Sequence, residues 1–385
     1  MQGPRLVGVF YLHEPQRRHQ EFKKKLSGLM SLWQSNLDIY FSLQNLIIMK
    51  AIILEEPGKL KPITKEHPGR PASNQVLLKM RRLGICGTDL HAYHGRQPFF
   101  TYPRILGHEI AAEVVEFGAE VTHLQKGDLV SVIPYRNQMQ DQAVRNGKTN
   151  CGSTLKVFGV HEDGAMQEYF LYDANNVFPA NGLTLDQIAI IEPIAIGSHA
   201  VERANIESDD IVLVIGAGPI GIAAIAMALL KSPRMIIADT NWQRLDFIAK
   251  KYAGVDTVNA LNMTEGLSQI LKGDRPTVII DATGNRDSMM KCFEYAAHGG
   301  TIVYVGLFVG DITFHDPDFH RKEITLKSSR NAVPEDFRKI IRLLKSGTLN
   351  MDGYVTHRLQ FDTLCENFTK LYLPEEQVIK AVVEY

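Results

Sequence analysis

Cysteine is scarce, neither sign of charge prevails, and no apolar run is long enough to span a bilayer. Four cysteines (Cys86, Cys151, Cys292 and Cys365) in 385 residues are too few and too scattered for the disulfide framework of a secreted protein, which points to a cytoplasmic chain. Lys and Arg number 42 against 43 Asp and Glu, a formal net charge of -1. That balance offers no electrostatic footprint to nucleic acid or to an anionic membrane. The apolar run at residues 43–54 is broken by Lys50 and falls short of the roughly 20 residues that a membrane span requires. An earlier run at 6–12 is interrupted by Gly8 and stops at His13 and Glu14, with no small-residue cleavage site behind it. Internal repeats and low-complexity tracts are missing too. What is present is globular: 45% hydrophobic and 22% charged residues, in a length comfortable for two domains.

Residues 1–48 carry Arg17, Arg18, Lys23, Lys24 and Lys25 without a clear apolar period. Glu14, Glu21 and Asp38 sit badly with an acid-poor transit peptide. From Met49 onward the text changes to alternating strands and turns, so Met49 is the expected functional start and 1–48 an extension without a fold role. Between there and about Ala180, short runs closed by Gly, Pro and Asp (75–80, 109–116, 128–132, 166–171) predict a β-rich, barrel-like unit. A single helix is expected over 185–204. Strands at 210–215, 235–238, 278–281 and 301–305 then alternate with helices at 220–230, 243–252 and 288–297. Such alternation predicts a parallel sheet with right-handed crossovers, an α/β class. A further helix is expected at 335–345.

Gly216-Ala217-Gly218-Pro219-Ile220-Gly221 follows a predicted strand and opens a predicted helix, the context in which a glycine fingerprint binds a dinucleotide. Gly216 makes the turn, Gly218 lets the backbone approach a pyrophosphate, and Gly221 lets helix and strand pack closely. The helix N-terminus, reached through Ile220, offers unpaired N–H groups to phosphate. Asp239 ends the next strand, where a carboxylate accepts from ribose hydroxyls and repels a 2′-phosphate, favouring NAD over NADP. Arg244 is near enough in sequence to offset part of that repulsion.

A second constellation lies in the β-rich half: Gly84-Ile85-Cys86-Gly87-Thr88-Asp89-Leu90-His91, then Leu106-Gly107-His108-Glu109. Thiolate, imidazole and carboxylate are the donors that Zn²⁺ prefers, although their separation in sequence leaves the grouping open. These motifs, then Ile191-Glu192-Pro193-Ile194-Ala195, then the glycine fingerprint, occur in the order seen in zinc-dependent medium-chain dehydrogenases, and from Met49 to Tyr385 the chain resembles that family. The resemblance implies a GroES-like catalytic domain (49–197) completed by a C-terminal segment (329–385), with a Rossmann NAD-binding domain (198–328) inserted. It implies that Cys86, His108 and Glu192 are zinc ligands. Glu192 takes the position where polyol dehydrogenases have glutamate. Glu109 matches a carboxylate that lies near the metal and can replace a ligand during turnover. Many members carry a second, structural zinc on four cysteines; here those positions read Gln138, Asp141, Val144 and Gly152, so one zinc per subunit is expected.

The family's chemistry implies that zinc lowers the pKa of a substrate hydroxyl, that Thr88 and His91 relay its proton to solvent, and that hydride passes to nicotinamide. Glu192 leans toward polyol or sugar-type substrates. The segments 97–103, 281–285, 298–301, 305–308 and 329–332 resemble the bacterial L-galactonate 5-dehydrogenase branch, which oxidises L-galactonate to D-tagaturonate. Arg330 matches a position in the polyol branch where a cation meets an acid sugar; a salt bridge at the domain junction is its other reading. Alternatives are a neutral polyol or L-threonine dehydrogenase, and a dinucleotide-binding protein without catalysis. Relatives are commonly dimers or tetramers, so a homo-oligomer is expected. Cys292 and Cys365 read as packing residues.

Overall fold

The computed structural model describes residues 48–98, 100–231 and 234–385. The extension expected at 1–48 lies, Ile48 apart, outside the described residues, as does Phe99 of the 97–103 segment. The chain divides into two compact units, residues 1–49 with 65–67, and residues 50–64 with 68–385. Only 48, 49 and 65–67 of the first are described; all but His67, which follows β2, lie in the strands β1 (Ile48–Glu56) and β2 (Lys59–Glu66).

The second unit carries the rest. β3 (Gln75–Ile85) stops one residue before Cys86, and the short helix α1 (Gly87–Tyr93) follows. β4 (Arg104–Ile105), β5 (Glu109–Phe117), β6 (Leu129–Val132), β7 (Tyr135–Asn137), the helical turn α2 (Gln142–Arg145), β8 (Leu155–Val157), β9 (Tyr169–Asp173) and β10 (Val177–Pro179) complete the β-rich half. A seven-stranded sheet orders β10, β6, β5 and β3, then two strands from the far end of the chain. These are β18 (Lys380–Glu384) and β17 (Val355–Gln360), with β9 also paired to β3. β3 therefore receives three partners, which fixes its register on both sides: Gly84 lies opposite Glu109 and Val382.

The expected helix at 185–204 is two helices, α3 (Leu185–Ala189) and α4 (Ile191–Ala204), broken at Ile190. Pro193 explains the break. It has no N–H to donate four residues back, so it is accommodated in a first turn, where that N–H would be unpaired anyway. The break places Glu192 in the first turn of α4. The strand expected at 166–171 also begins later, at Tyr169. Met166 instead spends its N–H on Leu106 and its carbonyl on Ile52, and the register with β3 starts beyond it.

The parallel sheet forms with the four expected strands and two that were not expected. β11 (Ile211–Ile215), α5 (Pro219–Ala228), β12 (Arg234–Asp239), α6 (Trp242–Lys251), β13 (Val255–Asn259), α7 (Met263–Leu271), β14 (Val278–Asp281), α8 (Arg286–Tyr295), β15 (Thr301–Tyr304), α9 (Asp316–Arg321) and β16 (Thr325–Ser328) follow in turn. The six strands pair in the order β13, β12, β11, β14, β15, β16, all parallel, which is the doubly wound order that reverses direction beside β11. Val212, Leu213, Val214, Ile279 and Ile280 are fully buried because both faces of the sheet are covered. Helix α5 is apolar all round for the same reason: it is sandwiched between the sheet and α4. Gly197 permits that crossing, since a Cβ there would stand 2.7 Å from the Ala223 Cβ. Finally α10 (Pro334–Lys345) packs onto α4. No helix among the described residues is long and apolar enough to cross a membrane.

Candidate functional site

Two sites were expected, and the fold builds each from loops at strand ends. In the β-rich half, Cys86 caps α1 and donates its backbone N–H to the Asp89 carboxylate at 2.9 Å. The other oxygen of Asp89 accepts from Gly107 N–H at 3.3 Å, so one buried carboxylate ties the Cys86 turn to the His108 turn. Asp89 was not singled out in the sequence, although an acid three residues after a helix cap is a capping-box signal. Around this tie, donor atoms of Cys86, His108 and Glu109 lie within 4.8 Å of one another. The two turns are held from outside by close glycine packing: a Cβ on Gly159 would stand 2.6 Å, and one on Gly164 2.4 Å, from the Gly107 carbonyl oxygen.

Glu109 occupies a slot made for it. Its carboxylate lies over Gly84, where any Cβ would stand 2.0 Å from Oε2. Lys380, 2% exposed, donates to both oxygens, at 2.6 and 2.8 Å, and to the Ile85 carbonyl at 3.0 Å. Burial opposes the Lys380 charge, but Glu109 more than offsets it and holds the ammonium above the ordinary lysine value. Lys380 is the residue that sequence reading missed. It is a lone lysine beside an apolar strand, and its partner is 271 positions away.

Glu192 is buried at the start of α4, outside the group of three. Tyr135 donates its hydroxyl to Glu192 Oε1. Burial pushes the Glu192 carboxyl up to about 7; the charge of Glu109 adds to the shift, while His108 and the Tyr135 hydrogen bond oppose it. Burial also works against a charge on His108, but Cys86 and Asp89 outweigh it and drive the imidazole toward the protonated form. Within this cluster His108 Nδ1 and Glu192 Oε2 are buried without a hydrogen-bond partner among the described residues. An unpaired carboxylate oxygen and an imidazole drawn toward its protonated form, beside a thiol and a second carboxylate, mark a donor set short of positive charge, which is what a dication supplies. The residues present fit zinc.

Thr88 and His91 lie three apart on α1, half-buried and exposed respectively, and neither side chain has a hydrogen-bond partner among the described residues. Partial burial, then the charges of Arg96 and His94, lower the His91 pKa. The lobe where relatives of this kind carry four cysteines is held by hydrogen bonds. Asp141 accepts from Val144 N–H at 3.0 Å and from Ser153 N–H at 2.5 Å, and Asn137 donates to Thr149 O at 2.7 Å. Cys292 is buried and Cys365 half-buried against the core, as read from sequence.

The dinucleotide cradle has the required geometry. Gly216 has φ +100, in the region that favours glycine, and a Cβ on Gly221 would stand 1.7 Å from the Gly216 carbonyl oxygen. Gly218 faces open space but for Arg244 Nη1 at 3.8 Å, and Ile220 is half-buried in the first turn of α5. Asp239 accepts from Ala217 N–H at 2.6 Å and Asn241 N–H at 2.7 Å, with Arg244 Nη1 at 4.0 Å. The acid is thus fixed at the mouth of the glycine turn.

Residues 72–182 match the alcohol dehydrogenase GroES-like domain, and 219–346 match the zinc-binding dehydrogenase family. The chain is 41% identical over 338 residues to the L-galactonate-5-dehydrogenase of Escherichia coli K12, covering 88% of this chain and 99% of that one. Sorbitol dehydrogenase of Ovis aries is 32% identical over 332 residues, covering 83% and 92%. A crystal structure described as a short chain alcohol dehydrogenase of E. coli CFT073, in complex with NADH, superposes with a TM-score of 0.81 at 28% identity, covering 88% of this chain and 100% of that one.

Proposed function

The chain belongs to the zinc-dependent medium-chain dehydrogenases, and on that premise we propose that it oxidises a secondary alcohol of a sugar acid, converting L-galactonate and NAD⁺ to D-tagaturonate, NADH and a proton. Cys86, His108 and Glu192 would hold the zinc, with Glu109 kept back by Lys380. When bound, zinc makes a neighbouring hydroxyl more acidic, and NAD supplies the two-electron acceptor. Thr88 and His91 share a face of α1 and lead outward, the half-buried Thr88 inside and the exposed His91 outside. The lowered pKa of His91 keeps its imidazole neutral near pH 7 and able to take a proton. Asp239 places a carboxylate where a 2′-phosphate would sit, supporting NAD; the relative solved with NADH agrees.

One observation carries the acid substrate. Arg330 is exposed and has no carboxylate partner among the described residues, so the salt-bridge reading has no support. Its neighbour is His161, whose imidazole is pushed down by burial and then by the Arg330 charge. His161 sits in the 159–164 turn that packs against Gly107, next to His108. An unpaired guanidinium on that side of the metal candidates suits a carboxylate. Exchange of Arg330 for Met should raise KM for L-galactonate at least about tenfold and leave galactitol, the same carbon chain without the acid, nearly unchanged. Equal effects on both substrates exclude a carboxylate role.

Residues 49–197 and 329–385 form the catalytic part in this reading and 198–328 the NAD-binding part, with α4 spanning the first boundary. A homo-oligomer is supported by β16 at the open edge of the parallel sheet and by the exposed Leu307 (64%) and Val309 (66%) that follow β15. Sedimentation of Val309→Lys checks it, a lower mass being expected. Four free cysteines suit a cytoplasmic location.

A further inference from the structure

The segment that carries Arg330 is pinned at both ends by one hydrogen-bonded relay. Asn150, buried in the cysteine-poor lobe, donates one amide hydrogen to the Arg330 carbonyl at 2.8 Å and the other to His199 Nε2 at 3.1 Å. His199 Nε2 must then be the acceptor, which puts the ring proton on Nδ1, where it is donated to Asp336 Oδ2 at 3.0 Å. The same oxygen of Asp336 accepts from Val333 N–H at 2.9 Å, and Asp336 is itself buried. The relay thus grips the carbonyl of residue 330 and the N–H of residue 333. Between them Asn331 has φ +54, a left-handed conformation that holds only where the surroundings enforce it. His199 lies seven residues after Glu192 on α4, two turns on and on the same face. One rigid helix therefore carries both a metal candidate and the centre of the relay.

We propose that Asn150 is a positioning residue for the acid substrate. Oriented by His199 and Asp336, it fixes the 330–333 turn so that the Arg330 guanidinium keeps one alignment toward the substrate carboxylate. This rests on the carboxylate reading of Arg330. It gives the lobe, which lacks metal-binding cysteines, a second use. The lobe is folded by Asp141 and Asn137, and it presents Asn150 to the specificity turn. Deleting one donor from the relay strands the buried partners and frees the turn.

The test uses the zinc-loaded enzyme with L-galactonate and with galactitol. Asn150→Asp keeps shape but cannot make both donations; His199→Asn keeps a donor near the Nδ1 position toward Asp336 and has no acceptor at the position of Nε2, where Asn150 donates. In both variants KM for L-galactonate should rise about tenfold with kcat falling less than about threefold, and kcat/KM for galactitol should move less than about threefold. Amide exchange over residues 329–333 in the resting protein should speed up in both. The double variant Asn150→Asp/Arg330→Met should be no worse on L-galactonate than Arg330→Met alone, because the positioned group is gone. If Arg330→Met weakens L-galactonate selectively while the relay variants do not, the positioning proposal is overturned and the carboxylate reading stands. Fully multiplicative effects in the double variant, or unchanged exchange at 329–333, overturn it equally. If Arg330→Met affects both substrates alike, the carboxylate reading fails first and takes the proposal with it.

Discussion

Replacing Lys380 by Met removes the cation that both Glu109 oxygens face at 2.6 and 2.8 Å. At such separations two unit charges attract by about 6 kcal/mol for an effective dielectric near 20, and the desolvation of both ions consumes much of that. Methionine fills the lysine stem but leaves Glu109 buried without a counter-charge, beside Glu192 and the Cys86 sulfur. The expected loss in the zinc-stripped protein is about 3–5 kcal/mol, the usual cost of breaking one side of a buried pair. Exchange of Glu109 for Gln in the same background removes the stranded charge. The double variant should then recover about 2–3 kcal/mol relative to Lys380→Met alone. Urea unfolding of the four proteins, followed by circular dichroism, gives the coupling directly. Zinc supplies positive charge to the same cluster, so adding it should stabilise Lys380→Met more than the parent protein. A cost below about 1 kcal/mol for Lys380→Met, or a double variant as unstable as the two singles summed, refutes a buried charge pair as the prop of Glu109.

Gly84→Ala should cost about 1–3 kcal/mol and lower zinc retention on dialysis, because Glu109 Oε2 stands 2.0 Å from the new Cβ and Lys380 prevents its retreat; normal zinc content and an unchanged urea midpoint contradict this. Asp141 sits at about 2, below its ordinary value of 3.8, held down by the Ser153 and Val144 N–H groups. A depressed carboxylate pKa stabilises above the unfolded value, and the effect is lost as pH falls toward the folded one. Proteolysis of residues 138–153 should therefore be faster in Asp141→Asn than in the parent at pH 6, with the gap closing between about pH 4 and 2. Asp239→Asn deletes the charge and keeps an acceptor for only one of the Ala217 and Asn241 N–H groups, which now use one carboxylate oxygen each, and should reduce the preference for NAD over NADP about tenfold or more in kcat/KM.

Most of the parallel sheet was readable because strands buried on both faces are short continuous apolar runs; residues 278–281 coincide with β14 to the residue. β13, α7, α9 and β16 escaped that reading. Val255–Asn259 is half polar, and α7 contains Gly266, which close contact with Val258 explains and sequence alone does not. The glycine fingerprint could be read because its constraint is local. Gly216 answers to its own positive φ, and Gly221 to the Gly216 carbonyl oxygen five positions back. In the metal cluster only the donor types were legible. What positions them is remote in sequence: Asp89 reaches to Gly107, Tyr135 to Glu192, and Lys380 to Glu109. No periodicity carries such pairings, because they are created by strand order. The relay from Asn150 to Asp336 was unreadable for the same reason, joining a lobe, a helix and a turn that meet only when folded.

The strand order also sets a timetable. Lys380 leaves the ribosome 271 residues after Glu109, which at bacterial and eukaryotic rates is roughly 15 to 55 seconds of synthesis. Through that interval β3 has no β18 beside it and Lys380 is not there to face Glu109, and before it ends every strand of the parallel sheet, the last ending at Ser328, has been made. The nascent chain can therefore close its nucleotide-binding half early, but the metal-binding half must wait with an open edge. A ribosome stalled beyond Ser328 but short of Lys380 should hold a finished parallel sheet beside a β-rich half whose edge strand is still missing.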